Sequence, residues 1–485
     1  VQSVSADSGS ILHVAGAGRR GIAAGAGEGT DHRDPRSAQP RVRPSPDDSP
    51  ARTARQLVAE PDRCETALVA SPGSASRGSM PNFVAKRLRL LNAVGGRVLA
   101  RRALVPEELI REVVERVGLE DFGGAEFREP LRHLVEALEK EARLSPIGRH
   151  IIRSRIAEAL ENRLRVQSDR LAHPEIGGEE IARPVFIIGP PRSGTTILFH
   201  TLAQDPANLT LSQWKLDFPS PPPEANPRPR DARVRRTRQR AALLYGLLPE
   251  LRPVYTVAAT LPNECAVVTA HEFSSVLYSI TYDVPSYDAW LLRSDPEAAY
   301  RLHRRFLQQL QWRVPEPRWV LKSPGHLLAL DALFASYPDA RVIQTHRNPV
   351  EVLPSLASLT TILRALSSEH VDPARVGPQV SDFWYQALAR AHEFRTSHPE
   401  LADRFVDLGF AEISGDLIGS LHRLYERLGW TLPSEAEHRM RRFLEERGGG
   451  MRKPRGEDPL RFGIDAKREA ARFAWYLEAH GLAVG

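Results

Sequence analysis

The sequence predicts an α/β protein: a mostly parallel sheet flanked by helices, preceded by a helical module and a disordered N-terminal tail. Three observations carry that prediction. The apolar run 185–188 breaks into a Gly-rich turn and then a helical pattern. A strand–helix–strand unit is written at residues 318–345, and short apolar strands alternating with helices imply a parallel sheet covered on both faces. Between residues 83 and 182 apolar side chains recur at helical spacing.

Residues 1–79 are rich in Gly, Ala, Ser, Pro and Asp and hold no sustained period. Such a segment buries too little apolar surface to offset its ordering entropy. It reads as a disordered extension, or as sequence upstream of the true start. Residues 80–183 read as the helical module. Pro106 opens a helix through Leu109, Val113, Val114 and Val117. A second stripe runs Leu131, Leu134, Leu138 and Ala142, and a third Ile151, Ile152, Ile156, Leu160 and Leu164. Residues 184–485 form the α/β domain. Its strands are expected at 185–188, 318–322 and 340–345, with a helix over 326–337 and another after Asn348-Pro349.

Composition bounds the function. The 485 residues are 41% hydrophobic and 26% charged, as in a soluble globular protein. Net charge is +6, which suits an anionic ligand but falls short of a nucleic-acid signature. Only six residues are Lys, so nearly all the basic charge is Arg, a bias we assign to coding composition. No apolar stretch is long enough to span a bilayer, and the charged, apolar and cleavage-site order of a secretory signal is absent. Cys64 and Cys265 match neither a metal spacing nor a disulfide framework, so a reducing cytoplasm is the expected compartment and no metal site is expected.

The turn after the first strand reads Gly189-Pro190-Pro191-Arg192-Ser193-Gly194-Thr195-Thr196. Glycines let the backbone approach an oxyanion, and free N–H groups at a helix N-terminus point towards it. The Gly-x-x-x-x-Gly spacing opens a nucleotide-binding P-loop. Yet the Lys that should follow the second Gly is Thr195, and the cation sits inside the loop as Arg192. That displacement argues against an ordinary ATPase or GTPase. Arg192, Ser193, Gly194, Thr195 and Thr196 are therefore candidate ligands of a phosphorylated donor. A second anion element reads Thr345-His346-Arg347-Asn348-Pro349, with Ser355 eight residues after the Arg. Arg347 ends a strand, and the next helix turns Ser355 back towards that strand end.

With both elements the chain resembles the PAPS-dependent sulfotransferase superfamily, in its bacterial branch with an N-terminal helical extension. The 5′-phosphosulfate loop of that superfamily, a Pro-Lys/Arg-Ser-Gly-Thr-Thr string, is matched by residues 191–196. Its 3′-phosphate element, an Arg-Asn with a Ser eight residues after the Arg, is matched by Arg347, Asn348 and Ser355. The resemblance covers about residue 105 to the C-terminus. It implies a P-loop-like α/β fold and metal-free, in-line transfer of a sulfuryl group from PAPS (3′-phosphoadenosine-5′-phosphosulfate) to a hydroxyl. It also implies that Lys322 bridges the sulfuryl group and the acceptor, although Pro324 stands where some members carry a catalytic His. Glu264, His271 and His326 are candidates for the general base. Imidazole has the better ordinary pKa and a Glu would need burial to raise its own; Glu264, which resembles the Glu base of carbohydrate and tyrosyl members, ranks first.

The aromatic segment 273–292, with Tyr278, Tyr282, Tyr287 and Trp290, reads equally as a packed core or as the wall of an apolar acceptor pocket. The seven arginines of residues 228–240 read as a solvated face, with a lid or a lipid-headgroup contact as the alternative. The basic run 451–456 is a loose match to a closing element over the 3′-phosphate. The expected partner is a small, lipophilic hydroxyl acceptor; homo-oligomers are compatible with the sequence. The rival functions are a nucleotide-dependent kinase or NTPase and an inactive PAP-binding scaffold.

Overall fold

A computed structural model describes residues 102–223, 231–247, 258–447 and 457–482. The tail 1–79, the opening of the helical module, Arg228 and Arg230 of the arginine run, and the run 451–456 lie outside the described residues.

Among the described residues five parallel strands make one sheet: β1 (Val185–Ile188), β2 (Asn208–Leu209), β3 (Arg318–Lys322), β4 (Arg341–His346) and β5 (Phe405–Gly409), in the spatial order β2-β3-β1-β4-β5. The strands at 185–188 and 318–322 stand where the sequence puts them, and β4 lies one residue further on than expected. β2 and β5 escaped the sequence reading. Only two residues long, β2 carries no readable period, and the charge of Asp407 interrupts the apolar pattern of β5. The central strand β1 is buried at all four positions. Its side chains divide by the period of two: Phe186 and Ile188 join the larger core, Val185 and Ile187 the core beneath the other face. In-register pairing sets Ile187 beside Lys322 on one side and beside Ile343 on the other. Order reverses at β1, with β3 and β4 on either flank, and an open α/β sheet binds ligands at the C-terminal strand ends beside such a point.

Among the described residues the helical region forms three α-helices, the first two strongly amphipathic. α1 (Pro106–Val117) starts on its Pro and ends on Gly118, whose left-handed φ of 71° closes the helix. α2 (Arg128–Lys140) buries Leu131, Leu134 and Leu138. α3 (Pro146–Ala172), capped by Ser145, buries Ile152, Ile156, Leu160 and Leu164. Ile151, expected in that stripe, instead turns outward at 38% exposure. The inner face of α3 also carries Asn162 and Arg163, which meet polar partners on the α/β region. One continuous apolar core holds residues of α1–α3 together with Phe186, Leu321 and Phe306.

After β3 the chain makes a 3-10 turn at Pro324–Leu328 before a short helix, Leu330–Ser336, in place of the single helix expected over 326–337. Pro324 favours the turn, and the Ser323 hydroxyl accepts from the Gly325 N–H to hold it. Among the described residues no helix is long and apolar enough to cross a membrane.

Candidate active site

Three strand ends build the site. β1 runs into the loop 189–194 and then α4 (Thr195–Leu202), whose N-cap is Gly194. Gly189 has φ 137°, and a Cβ there would lie 2.3 Å from Thr345 Oγ1, so only glycine fits between the β1 and β4 ends. The Ser193 hydroxyl donates to the Pro190 carbonyl and shares a 2.6 Å hydrogen bond with Thr345 Oγ1. Ser193 therefore ties the loop to β4 and stiffens it. Arg192 takes a left-handed φ of 73°, a conformation that costs a non-glycine residue energy and recurs at ligand sites.

The two anion elements meet. Arg192 Nε donates to Ser355 Oγ at 3.2 Å, and Arg347 Nη1 donates to the Arg192 carbonyl at 3.1 Å. Ser355 lies in α5 (Pro349–Ala365), started by the Asn348 side chain accepting from the Val350 N–H at 3.0 Å. The helix thus brings the Ser back to the strand ends, but onto Arg192 and not onto Arg347. The Arg347 guanidinium lies 3.8 Å from the ring centre of Phe410 and pairs with Glu351 at 3.3 Å. Burial, and the charge of Arg347 close by, lower the Arg192 pKa. Two guanidinium groups crowded together favour an anion between or beside them.

β3 ends in Lys322, which is buried with its Nζ donating to Glu264 Oε1 and, at 3.4 Å, to Thr196 Oγ1. Glu264 keeps 35% of its side chain exposed against 3% for Lys322, so the carboxylate is the open half of the pair. Its backbone is fixed by the Asn263 side-chain oxygen, which accepts from the Glu264 N–H at 2.6 Å. Glu264, Lys322 and Thr196 are thus brought together with the loop.

The histidines are not. His271 is buried against α3, with Nδ1 at 2.9 Å from the Val267 carbonyl and Nε2 at 3.1 Å from the Asn162 amide. Burial drives its pKa down to about 4. His326 faces inward to the Tyr300 hydroxyl and Phe186, and burial holds it well below the ordinary histidine range. No continuous helix links Glu264 to His271: the helix Cys265–Thr269 ends, and His271 lies in the 3-10 turn Ala270–Glu272. The aromatic segment resolves towards the core: the Tyr278 hydroxyl donates to the Ala270 carbonyl and that of Tyr287 to the Phe273 carbonyl. A cavity of about 40 Å³ beside it is bordered by Cys265, Val276, Leu291, Tyr300 and His326.

Phe410 and His200 were missed by sequence reasoning. Phe410 opens the helix directly after the unforeseen β5, so nothing flagged it. His200, on α4, is buried, and desolvation with the charges of Arg447 and Lys322 lowers its pKa to about 3. A His five residues into the helix that follows an anion loop was the available signal.

The family described as "Sulfotransferase family" matches residues 184–434. The chain is a member of the sulfotransferase family. The omega-hydroxy-beta-dihydromenaquinone-9 sulfotransferases Stf3 of Mycobacterium bovis and Mycobacterium tuberculosis are 30% identical over 128 residues, 26% of this chain and 32% of each relative. The match thus spans about a third of the length of those curated relatives. The crystal structure of sulfotransferase STF1 from Mycobacterium tuberculosis H37Rv is 31% identical, covers 78% of this chain and 100% of its own, and superposes with a TM-score of 0.70. Sulfotransferase STF9 from Mycobacterium avium is 25% identical over 79% of this chain and 98% of its own, with a TM-score of 0.73. This member of the sulfotransferase family therefore shares the α/β fold of both.

Proposed function

We propose that this sulfotransferase moves a sulfuryl group from PAPS to the hydroxyl of a small, lipophilic acceptor. The observation that carries the reading is the meeting of Arg192, Ser355 and Arg347 at the ends of β1 and β4, with Lys322 and Glu264 beside the same loop. The rigid loop, its glycine-only approach and two crowded guanidinium groups fit a donor with phosphate at both ends. Arg192, Ser193, Gly194, Thr195 and Thr196 would hold the phosphosulfate end, Arg347 and Ser355 the 3′-phosphate.

The transfer is an in-line displacement in which positioning and charge stabilisation do most of the catalysis, as in phosphoryl transfer. Glu264 takes the proton from the acceptor hydroxyl as the new O–S bond forms. Lys322, hydrogen-bonded to both Glu264 and Thr196, neutralises charge on the sulfuryl oxygens between them. Arg192 and the loop amides stabilise the phosphate oxygen that keeps the electron pair of the breaking S–O bond, releasing PAP. The lipophilic acceptor is supported by the Stf3 relatives, which are named as omega-hydroxy-beta-dihydromenaquinone-9 sulfotransferases.

Calorimetry with PAP and with ATP–Mg²⁺ tests the donor. PAP is expected to bind without added metal, and Arg347→Ala to weaken it by roughly ten- to a hundredfold, the loss of charge-assisted hydrogen bonds. Arg192→Ala should weaken it similarly. Preference for ATP–Mg²⁺, or PAP affinity untouched by either change, would replace this reading with the kinase one.

A further inference from the structure

The arginine-rich helix α6 (Ala232–Leu247) contains five arginines and no acidic residue in its 16 positions. Its two faces do different things. On the inner face Ala241 and Tyr245 are buried, and the Thr237 hydroxyl donates to Asp217 Oδ2 at 3.2 Å. Arg233 is committed to Asp231 and to the Trp214 ring, and Arg240 to Glu158 and the Phe218 ring. The outer face exposes Arg235, Arg236 and Gln239 in its first half and Ala242 and Leu243 in its second. Leu243 is 65% exposed. Leu243 thus stands at the end of a cationic face, on a helix with no carboxylate to alternate with its arginines.

Basic residues beside an exposed apolar end are the chemistry of a helix lying in a lipid interface. The guanidinium groups meet anionic headgroups and the apolar side chains enter the acyl boundary. We propose that the outer face of α6 docks this sulfotransferase on an anionic lipid bilayer, through Arg235, Arg236 and Leu243.

Hydrogen bonds connect that helix to the active site. Thr237 holds Asp217; Gln213 Nε2 donates to Asp217 Oδ1 at 2.8 Å; the Asn263 amide donates to Gln213 Oε1; and Asn263 Oδ1 accepts from the Glu264 N–H. The docked helix and the proposed base thus belong to one hydrogen-bonded unit. The use of docking, delivery of a membrane-dissolved acceptor, rests on the acceptor class proposed above, whereas docking itself is read on the protein alone.

The experiment is co-sedimentation of the full chain with phosphatidylcholine vesicles, with and without phosphatidylglycerol, at low and physiological salt. Binding is expected only to the anionic vesicles and should fall with salt. Arg235→Ala with Arg236→Ala should weaken partitioning by about thirtyfold, two basic residues at a charged surface. Leu243→Asp should weaken it by about tenfold or more. Lys467→Glu with Arg468→Glu, exposed on another helix, should change it far less. All these side chains lie on the surface, and a thermal melt checks folding; should Leu243→Asp unfold, the arginine pair carries the test. Absence of anionic-vesicle binding, or equal loss in the Lys467/Arg468 control, overturns the proposal. So does duplex DNA binding that matches the vesicles and ignores Leu243→Asp, the outcome of a nucleic-acid face. PAP calorimetry on the same preparation reads the donor site separately, so either reading can fail without the other.

Discussion

Two cation–carboxylate pairs in this molecule use the same chemistry to opposite ends. Arg163–Glu272 joins α3 to the turn after the helix Cys265–Thr269, with both side chains 3% exposed or less. Arg163 also lies over the Phe127 ring, 4.6 Å from its centre. Burial lowers the Arg163 pKa and raises that of Glu272, each working against the pull of the other charge. Lys322–Glu264 instead buries only its cation and leaves the carboxylate a third exposed beside the anion loop. A closed pair is a cross-brace: Arg163 Nη1 meets Glu272 Oε2 out of reach of any substrate, while Arg163 Nε and Glu272 Oε1 stay buried without a hydrogen-bond partner. A half-open pair keeps one member available to a substrate. Accessibility, more than the strength of the pair, separates structure from chemistry here.

The sharpest way to break that comparison is to remove the open carboxylate. Glu264→Gln should cut turnover by roughly 10²–10⁴, the usual worth of a positioned general base. Its melting temperature and PAP affinity should stay near those of the parent. Full activity would take the base role from Glu264, and a collapse of stability would make the pair a brace like the other.

Arg163→Ala should do the reverse. It leaves Glu272 buried without its counter-charge, a loss of about 3–5 kcal/mol in denaturant unfolding. The double change Arg163→Met with Glu272→Leu sharpens the test, because a buried pair replaced by apolar groups of similar volume is often neutral. That variant should recover most of the stability and retain PAP binding. The equivalent swap at Lys322 and Glu264 should fold and transfer nothing. Sulfuryl transfer lost in a stable Arg163→Met/Glu272→Leu protein would show that the two pairs are not distinct.

The two pairs also mark what could be read in advance. Arg192 was legible as the cation inside the Gly-rich loop after β1, and Arg347 and Lys322 as cations at or just past a strand end, the role of Lys322 coming from the family resemblance. Glu264 was legible only as one of three candidates, since the loop that delivers it has no period and its approach to Lys322 spans 58 residues of sequence. Arg163 was unreadable. It falls among ordinary Arg and Glu positions of an amphipathic helix, and only the fold reveals that α3 is covered on a second side. β5 and Phe410 were hidden for a related reason: Asp407, bound by Arg395 and His346, disguises a strand whose neighbours are buried. The arginine run was legible as charge, yet not as a helix with a committed inner face.

The smallest effect tests the histidines set aside from the site. His271 is held neutral by burial at a pKa of about 4, whereas an unfolded histidine titrates near 6.5. Between those values the unfolded chain binds the extra proton, so stability rises with pH. His271 therefore contributes in full above about pH 6.5, and its contribution is lost as pH falls towards 4, at about 1.4 kcal/mol per pH unit. His200 and His303, each lowered to about 3, add to the same slope. In urea unfolding followed from pH 7 to pH 5, His271→Asn should be less stable than the parent at pH 7, having lost a fitted ring. The gap should then narrow as pH falls, because only the parent pays to keep that ring neutral. A gap that stays constant would mean that His271 titrates alike in the folded and unfolded chain. That outcome would return it to the candidates for the base and blur the contrast between a closed interior and an open site.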